Sequence, residues 1–321
     1  MAGHFKSISC FRRMKKVFYF ISLVCVMMLA ACSSDDDEFV EENQGDEVYK
    51  EVIISVGTPA GDGDTRMNVD GLNISWEQGD QLVLTATYNG KFRTFDFDII
   101  PGSISQRCVK GKTYSTAQFK GNVLMGIRDF GVHYKARTLR EADTKFGRDL
   151  IIDYHGMVQN GFNNQEHIKD YLDLRYHNKD NNDKIDIVDL IEKNSNLALN
   201  TSILKINVKS LPKEMANANQ VTWKIVKYIN QIRDVKTVGT LKFNGELNEG
   251  GDNYLEMPFC PYLFELLKGN DFVLEFSDGK TTGTVQVKAT KKVSYLSAHV
   301  YKVIVSADNQ GPHSLYNWTF N

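Results

Sequence analysis

From residue 48 onward apolar side chains recur at every second position, and this habit excludes most helical folds for the body of the chain. Leu82, Leu84, Ala86 and Tyr88 share one alternating run, and Phe95, Phe97 and Ile99 interleave with Thr94, Asp96 and Asp98 in the next. Successive side chains of a strand point to opposite faces, so a period of two marks a half-buried strand. Asn89-Gly90 separates the runs, and this dipeptide adopts the positive φ values of a two-residue hairpin. The same grammar returns later. Leu204, Ile206 and Val208 alternate with Lys205, Asn207 and Lys209, and Phe272 to Phe276 and Thr284 to Ala289 flank Ser277-Asp278-Gly279-Lys280. His299 to Val305 reads as a closing strand.

Between these β-rich stretches, residues 146–196 carry Ile168, Tyr171, Leu172 and Arg175 at helical spacing after Asn163-Asn164, which predicts a short helix. A chain of 321 residues has room for about two domains. The expected fold is therefore all-β, with antiparallel β-sandwich domains over 49–145 and 197–321 and a short helical connector over 146–196. The second sandwich closes near residue 306 and a tail follows it. Cys108 and Cys260 make no disulfide framework and are read as small buried hydrophobes.

The formal charge of -2 comes from 38 basic and 40 acidic residues, unevenly spread. Residues 1–31 hold five bases and no acid, residues 32–47 eight acids and no base, and the remainder 33 bases against 32 acids. A nearly neutral body lacks the concentrated positive field that nucleic acid requires, so nucleic acid is set aside as a partner. Val17 to Leu29 is an apolar run of thirteen residues behind Lys15-Lys16, short for a bilayer core of about 30 Å, so residues 1–31 are expected to be a signal peptide. The run ends in Leu29-Ala30-Ala31-Cys32, which resembles a bacterial lipobox. That resemblance implies a diacylglycerol on Cys32 and attachment to the outer membrane, with residues 32–48 as an acidic tether. Ser33-Ser34-Asp35-Asp36-Asp37-Glu38 is similar to the export patch of lipoproteins displayed on the cell surface.

One segment has metal-ligand spacing. Asn178, Asp180, Asn182, the Lys184 carbonyl, Asp186 and Asp189 occupy positions 1, 3, 5, 7, 9 and 12 of a loop, with Ile185 at position 8. A chain coiling around a hard cation turns alternate oxygens inward, so this pattern suits Ca²⁺. Asn178 at position 1, Asp183 where glycine is preferred and Asp189 in place of glutamate point to weak affinity, on the order of 10⁻⁴ to 10⁻³ M. The competing reading is a polar loop whose Asp186 caps a helix. Asp62-Gly63-Asp64 reads as a turn, and His155, His167 and His177 read as surface histidines without zinc spacing. Trp76-Glu77-Gln78-Gly79-Asp80 reads as a turn whose tryptophan packs back on the sandwich. No nucleophile elbow, phosphate loop or helical zinc motif occurs. The expectation is a binding or structural protein and not an enzyme.

Asp64-Thr65-Arg66, then Ile74-Ser75-Trp76-Glu77-Gln78-Gly79-Asp80-Gln81-Leu82, Ile152-Asp153-Tyr154, Asp170-Tyr171-Leu172, Leu204-Lys205-Ile206-Asn207-Val208 and Leu296-Ser297-Ala298-His299-Val300-Tyr301-Lys302-Val303 follow the lipobox in order. In this order the chain resembles the fimbrillin family of type V pilus subunits. The closing motif departs from the family at Ser297-Ala298, where a glycine is usual, and the connector is longer than the family's. The resemblance implies transthyretin-like sandwiches and a pilus subunit, tip or accessory component in cell adhesion, partnered by other fimbrial subunits or by itself through strand exchange. The alternative from another class is a monomeric, lipid-anchored surface protein that binds glycan or host protein through its loops. Val52, Ile54 and Val56 alternate as a core strand should, and the Gly- and Asp-rich segment after them leads to Arg66, the expected processing site. Loss of that strand would open a groove that a donor refills. The candidate donor is the tail, with Leu315, Tyr316, Trp318 and Phe320, the last three on one face.

Overall fold

Alternation becomes strand and the turn chemistry fixes the register. In this computed structural model, which describes residues 47–59, 61–62, 74–109, 112–144, 147–177, 183–248, 250–307 and 317–320, the fold is all-β. β1 (Tyr49–Gly57), β2 (Gln81–Tyr88), β3 (Lys91–Ile99), β4 (Lys112–Leu124) and β5 (Asp129–Tyr134) lie in the order β1-β4-β3-β2-β5. Asn89 and Gly90 both take positive φ, 48° and 71°, which sets Leu82 opposite Phe97 and Leu84 opposite Phe95. These four residues enter one buried cluster with Ile54, Phe119, Phe130 and Val132. Val83 and Thr85 of β2 are buried as well, so β2 is covered on both faces.

The later strands enclose a second buried cluster. The pair β6 (Leu139–Thr144) and β7 (Gly147–Ile152) forms a separate ribbon. β8 (Met157–Gln159) comes next, then β9 (Ser202–Val208), β10 (Gln220–Ile229), β11 (Ile232–Phe243), β12 (Tyr254–Phe259), β13 (Asp271–Ser277), β14 (Thr282–Lys288), β15 (Val300–Val305) and β16 (Asn317–Phe320). One sheet runs β8-β11-β10-β13-β14-β16 and another β12-β9-β15. Trp223, with no exposed surface, centres this core edge-on to Phe259 at 4.9 Å between centroids. The expected half-buried strand around Leu204 is β9, and it is buried along its whole length. β12 lies on one edge and β15 on the other, and the buried Lys205 places Nζ 3.1 Å from Glu256 Oε1 and over the Tyr254 ring.

The connector differs most from expectation. The predicted helix through Arg175 is a single 3₁₀ turn, Glu166–Tyr171, and Arg175 belongs to a two-residue strand opposite His133. Tertiary pairing overrides the helical spacing here. His167, expected on the surface, is buried, with Nε2 2.8 Å from the Glu256 carbonyl. Residues 174–175 and 185–186 pair with β5, residues 195–196 run parallel to β1, and β8 runs parallel to β11. The segment therefore supplies strands to both large sheets. Its Ile168, Leu172, Leu174, Ile185 and Leu190 sit in the first cluster, and its Ile152, Met157 and Tyr171 in the second. The helix α1 (Ile187–Glu192) follows Asp186 as expected. Among the described residues no helix is long and apolar enough to cross a membrane.

Candidate functional site

β1 lies almost at the border of its sheet. All nine of its residues pair with β4, whereas its other edge is strand-paired only at Val56 and Gly57, with Ser195 and Asn196; the Leu197 N–H donates to the Gly57 carbonyl at 2.9 Å, and α1 lies against the strand. A Cβ on Gly57 would fall 2.0 Å from Asn196 Oδ1, so a larger residue there would oblige the exposed Asn196 side chain to turn away from the seam. Val52, Ile54 and Val56 point into the core while Tyr49 and Ile53 are half exposed. Burying the three inward side chains contributes on the order of 5–9 kcal/mol to holding the strand.

A latch secures the strand where it ends. The Trp76 indole N–H donates to the Val56 carbonyl at 2.9 Å, and the ring stands edge-on to Phe119 at 4.9 Å. Thr58 and Ser115 exchange backbone and hydroxyl hydrogen bonds beside it, and Ser115 Oγ accepts the Trp76 N–H at 3.1 Å. The turn below depends on Gly79 at φ +94°, and Asp80 Oδ2 accepts the Glu77 N–H at 2.7 Å. The Tyr134 hydroxyl donates to Asp80 Oδ1 at 3.1 Å. Burial raises the Asp80 carboxyl above the ordinary carboxylate range and, with Asp80 beside it, pushes the Tyr134 phenol up. The expected turn and tryptophan anchor are both present.

Several expected sites fall partly or wholly outside the described residues. Cys32, Arg66, Leu315 and Tyr316 lie there, as do Asn178, Asp180 and Asn182 of the calcium loop. Trp318 and Phe320 belong to β16, whose backbone pairs antiparallel with β14 of its own chain, Trp318 opposite Val285. In the described half of the loop, Asp186 Oδ1 accepts the Val188 N–H at 2.8 Å as the N-cap of α1, and Asp189 Oδ1 meets Lys193 Nζ at 2.5 Å. Lys184 is exposed, and Asp183 Oδ1 lies 2.9 Å from His177 Nδ1. Among the described residues no three acids, histidines or cysteines converge on one point.

Two concavities had no signal in the sequence, because their walls come from segments far apart in the chain. The first, of about 270 Å³, opens between the Trp76 turn and the 3₁₀ turn, with Trp76, Ile168, Leu172 and Leu174 as floor. Glu77, Asp80, Glu166 and Lys169 form its rim, and Glu77 and Lys169 are paired. The second, of about 310 Å³, is polar and holds Thr85, His133, Arg148, Asp149, Arg175 and Tyr176. Arg175 forks onto Asp173 at 2.8 and 3.1 Å; burial works against its charge, and the Asp173 and Asp149 carboxylates outweigh that and hold the guanidinium above its ordinary value. Burial, reinforced by Arg175 and His177, pushes His133 down to about 3. One offers an apolar floor with a charged rim, the other an array of hydrogen-bonding groups.

No family model matches this chain, and no curated protein matches it. Among solved structures it is similar to a protein assigned to cell adhesion from Bacteroides uniformis ATCC 8492, 12% identical over 84% of this chain and 96% of that one, with a TM-score of 0.31. A fimbrial assembly protein from Parabacteroides distasonis ATCC 8503 is 10% identical over 85% and 96%, with a TM-score of 0.32. A second protein assigned to cell adhesion from that organism is 9% identical over 78% and 83%, with a TM-score of 0.25. Scores of this size define no residue-by-residue correspondence.

Proposed function

We propose that the chain is a fimbrillin-like surface lipoprotein, anchored to the outer membrane through lipid on Cys32, that acts as a pilus subunit, tip or accessory component in cell adhesion. The observation that carries this reading is β1: a strand with three core side chains, paired along its whole length on one side and strand-paired only at its last two residues on the other, where α1 lies against it. Removing such a strand leaves the open edge of β4 and an apolar groove, and a strand from another copy or another fimbrial subunit restores both. The resemblance of the lipobox and the Trp76 segment to fimbrillins supports the same reading. No catalytic step is part of it, and a weakly bound Ca²⁺ in the loop from Asn178 to Asp189 would serve to stiffen the connector.

The monomeric, lipid-anchored binding protein remains the second reading because of one observation. β16 pairs with the edge of its own β14, which occupies the candidate donor within its own chain. The two readings separate under an Arg-specific protease. For a pilus subunit, the wild-type protein forms filaments visible by electron microscopy, Arg66→Ala stays monomeric, and deletion of residues 314–321 leaves cleavage intact while preventing polymer. Intact residues 32–66 on the mature surface protein, with no higher-order species after protease, would favour the binding protein.

A further inference from the structure

The hairpin of β10 and β11 runs past the sheet that supports it. β13 accompanies β10 only as far as Val226. Beyond that point residues 227–234 form a two-stranded ribbon closed by Asn230 and Gln231 at φ 50° and 67°. The ribbon exposes apolar side chains, Tyr228 at 49%, Ile229 at 57% and Ile232 at 72%, with Val235 at 41% just below it. Ile229 and Ile232 are cross-strand partners, and alternation places them on the face that holds Trp223 and Ile225 lower in the strand. The Tyr228 hydroxyl donates to the buried Asp271 carboxylate at 2.9 Å, which braces the ribbon against the sheet. Lys227 and Arg233 flank the tip, with Asp234 as the cross-strand partner of Lys227. An exposed pair of stiff, β-branched side chains beside Lys227 and Arg233 is an apolar projection with the shape of a plug.

The cleft beside Trp76 has the complementary character. Its floor is apolar, and its rim sets Glu77, Asp80 and Glu166 against Lys169. We propose that the hairpin tip of one copy docks into the Trp76 cleft of a second copy, Ile229 and Ile232 meeting the floor and Lys227 and Arg233 meeting the acidic rim. The inference rests on the subunit reading only in taking the partner to be another copy of this chain. Both halves of the contact are carried by one polypeptide with opposite charge, which favours a second copy over an anionic membrane as the occupant. Tip and cleft are different patches, so the contact is heterologous: each docked copy still offers a free tip and a free cleft, and the arrangement repeats. The interface is small, so single contacts are weak and gain strength only in a chain of copies.

The test is sedimentation velocity on the full chain kept free of lipid by Cys32→Ala, from about 1 µM to about 1 mM, the span over which a weak contact dissociates. Wild-type protein should associate with rising concentration and dissociate with salt. The tip-reversed variant Lys227→Glu/Arg233→Glu and the cleft-reversed variant Glu77→Lys/Glu166→Lys should each lose association by at least about tenfold in Kd. Their equimolar mixture should recover it, because each then meets an opposite charge. Variants that associate as wild type does, a mixture that stays monomeric, or wild-type protein monomeric throughout would each overturn the proposal. Binding to phosphatidylglycerol vesicles that is lost in the tip-reversed variant, without self-association of the wild type, would assign the tip to a membrane and overturn it too. Filaments from protease-treated tip-reversed protein equal to wild type would sink the docking while leaving the pilus reading intact. Charge-swap recovery without filaments would do the reverse.

Discussion

His133 couples stability to pH because its ring sits where a proton is unwelcome. It is buried beside Arg175 and His177, Nε2 lies 3.4 Å from Thr85 Oγ1, and burial holds its folded value at about 3. An unfolded histidine titrates near 6.5. Between these values the unfolded chain binds a proton that the folded chain refuses, so stability is full above about 6.5 and falls as pH drops towards 3. The slope is about 1.4 kcal/mol per pH unit. His167, also lowered by burial, acts in the same direction. Urea titrations of His133→Asn should show a stability loss between pH 7 and pH 5 about 2 kcal/mol smaller than wild type; an unchanged loss would place the titration elsewhere. Sequence reading finds neither this histidine nor the buried Lys205. Alternation assigns Lys205 to solvent, and the acid that keeps it inside, Glu256, arrives from β12, 51 positions later in the chain.

Local chemistry was legible wherever an element depends on its own residues. Asn89-Gly90 dictates the hairpin, Gly79 the turn, and Asp186 the start of α1, and all three stand as read. The connector was not legible, because its short strands exist only through partners in β1, β5 and β11. The loop before α1 carries two readings that variants can separate. As N-cap, Asp186 contributes about 1 kcal/mol, so Asp186→Ala should lower stability by that amount even with excess chelator. As a calcium ligand, Asp180 acts only when the ion is present. Calcium at about ten times its Kd should then stabilise wild type by roughly 1.4 kcal/mol. Asp180→Ala/Asp189→Ala should abolish the shift in melting temperature, and a shift of equal size in that double variant would remove calcium from the proposal.

At the scale of the whole molecule, the first core is completed by residues far beyond 145. Ile168, Leu172, Leu174, Ile185, Leu190, Leu197 and Ile203 all belong to it. A fragment of residues 48–145 should therefore show no cooperative thermal transition by circular dichroism, whereas residues 48–208 should regain one; cooperative melting of the shorter fragment would show that the later segment is dispensable. The arrangement of terminal strands has a mechanical consequence. β1 is the first described strand, and its nine residues lie alongside β4. Near the other end β15 lies parallel to β9 over six residue pairs, and the last described strand, β16, lies antiparallel to β14 over four. Tension applied along the axis of such a strand would load its ladder bonds together in shear instead of opening them one after another. Forced unfolding is governed by the unfolding barrier and not by equilibrium stability, and a protein tethered in flow resists drag best with its strands loaded in this way.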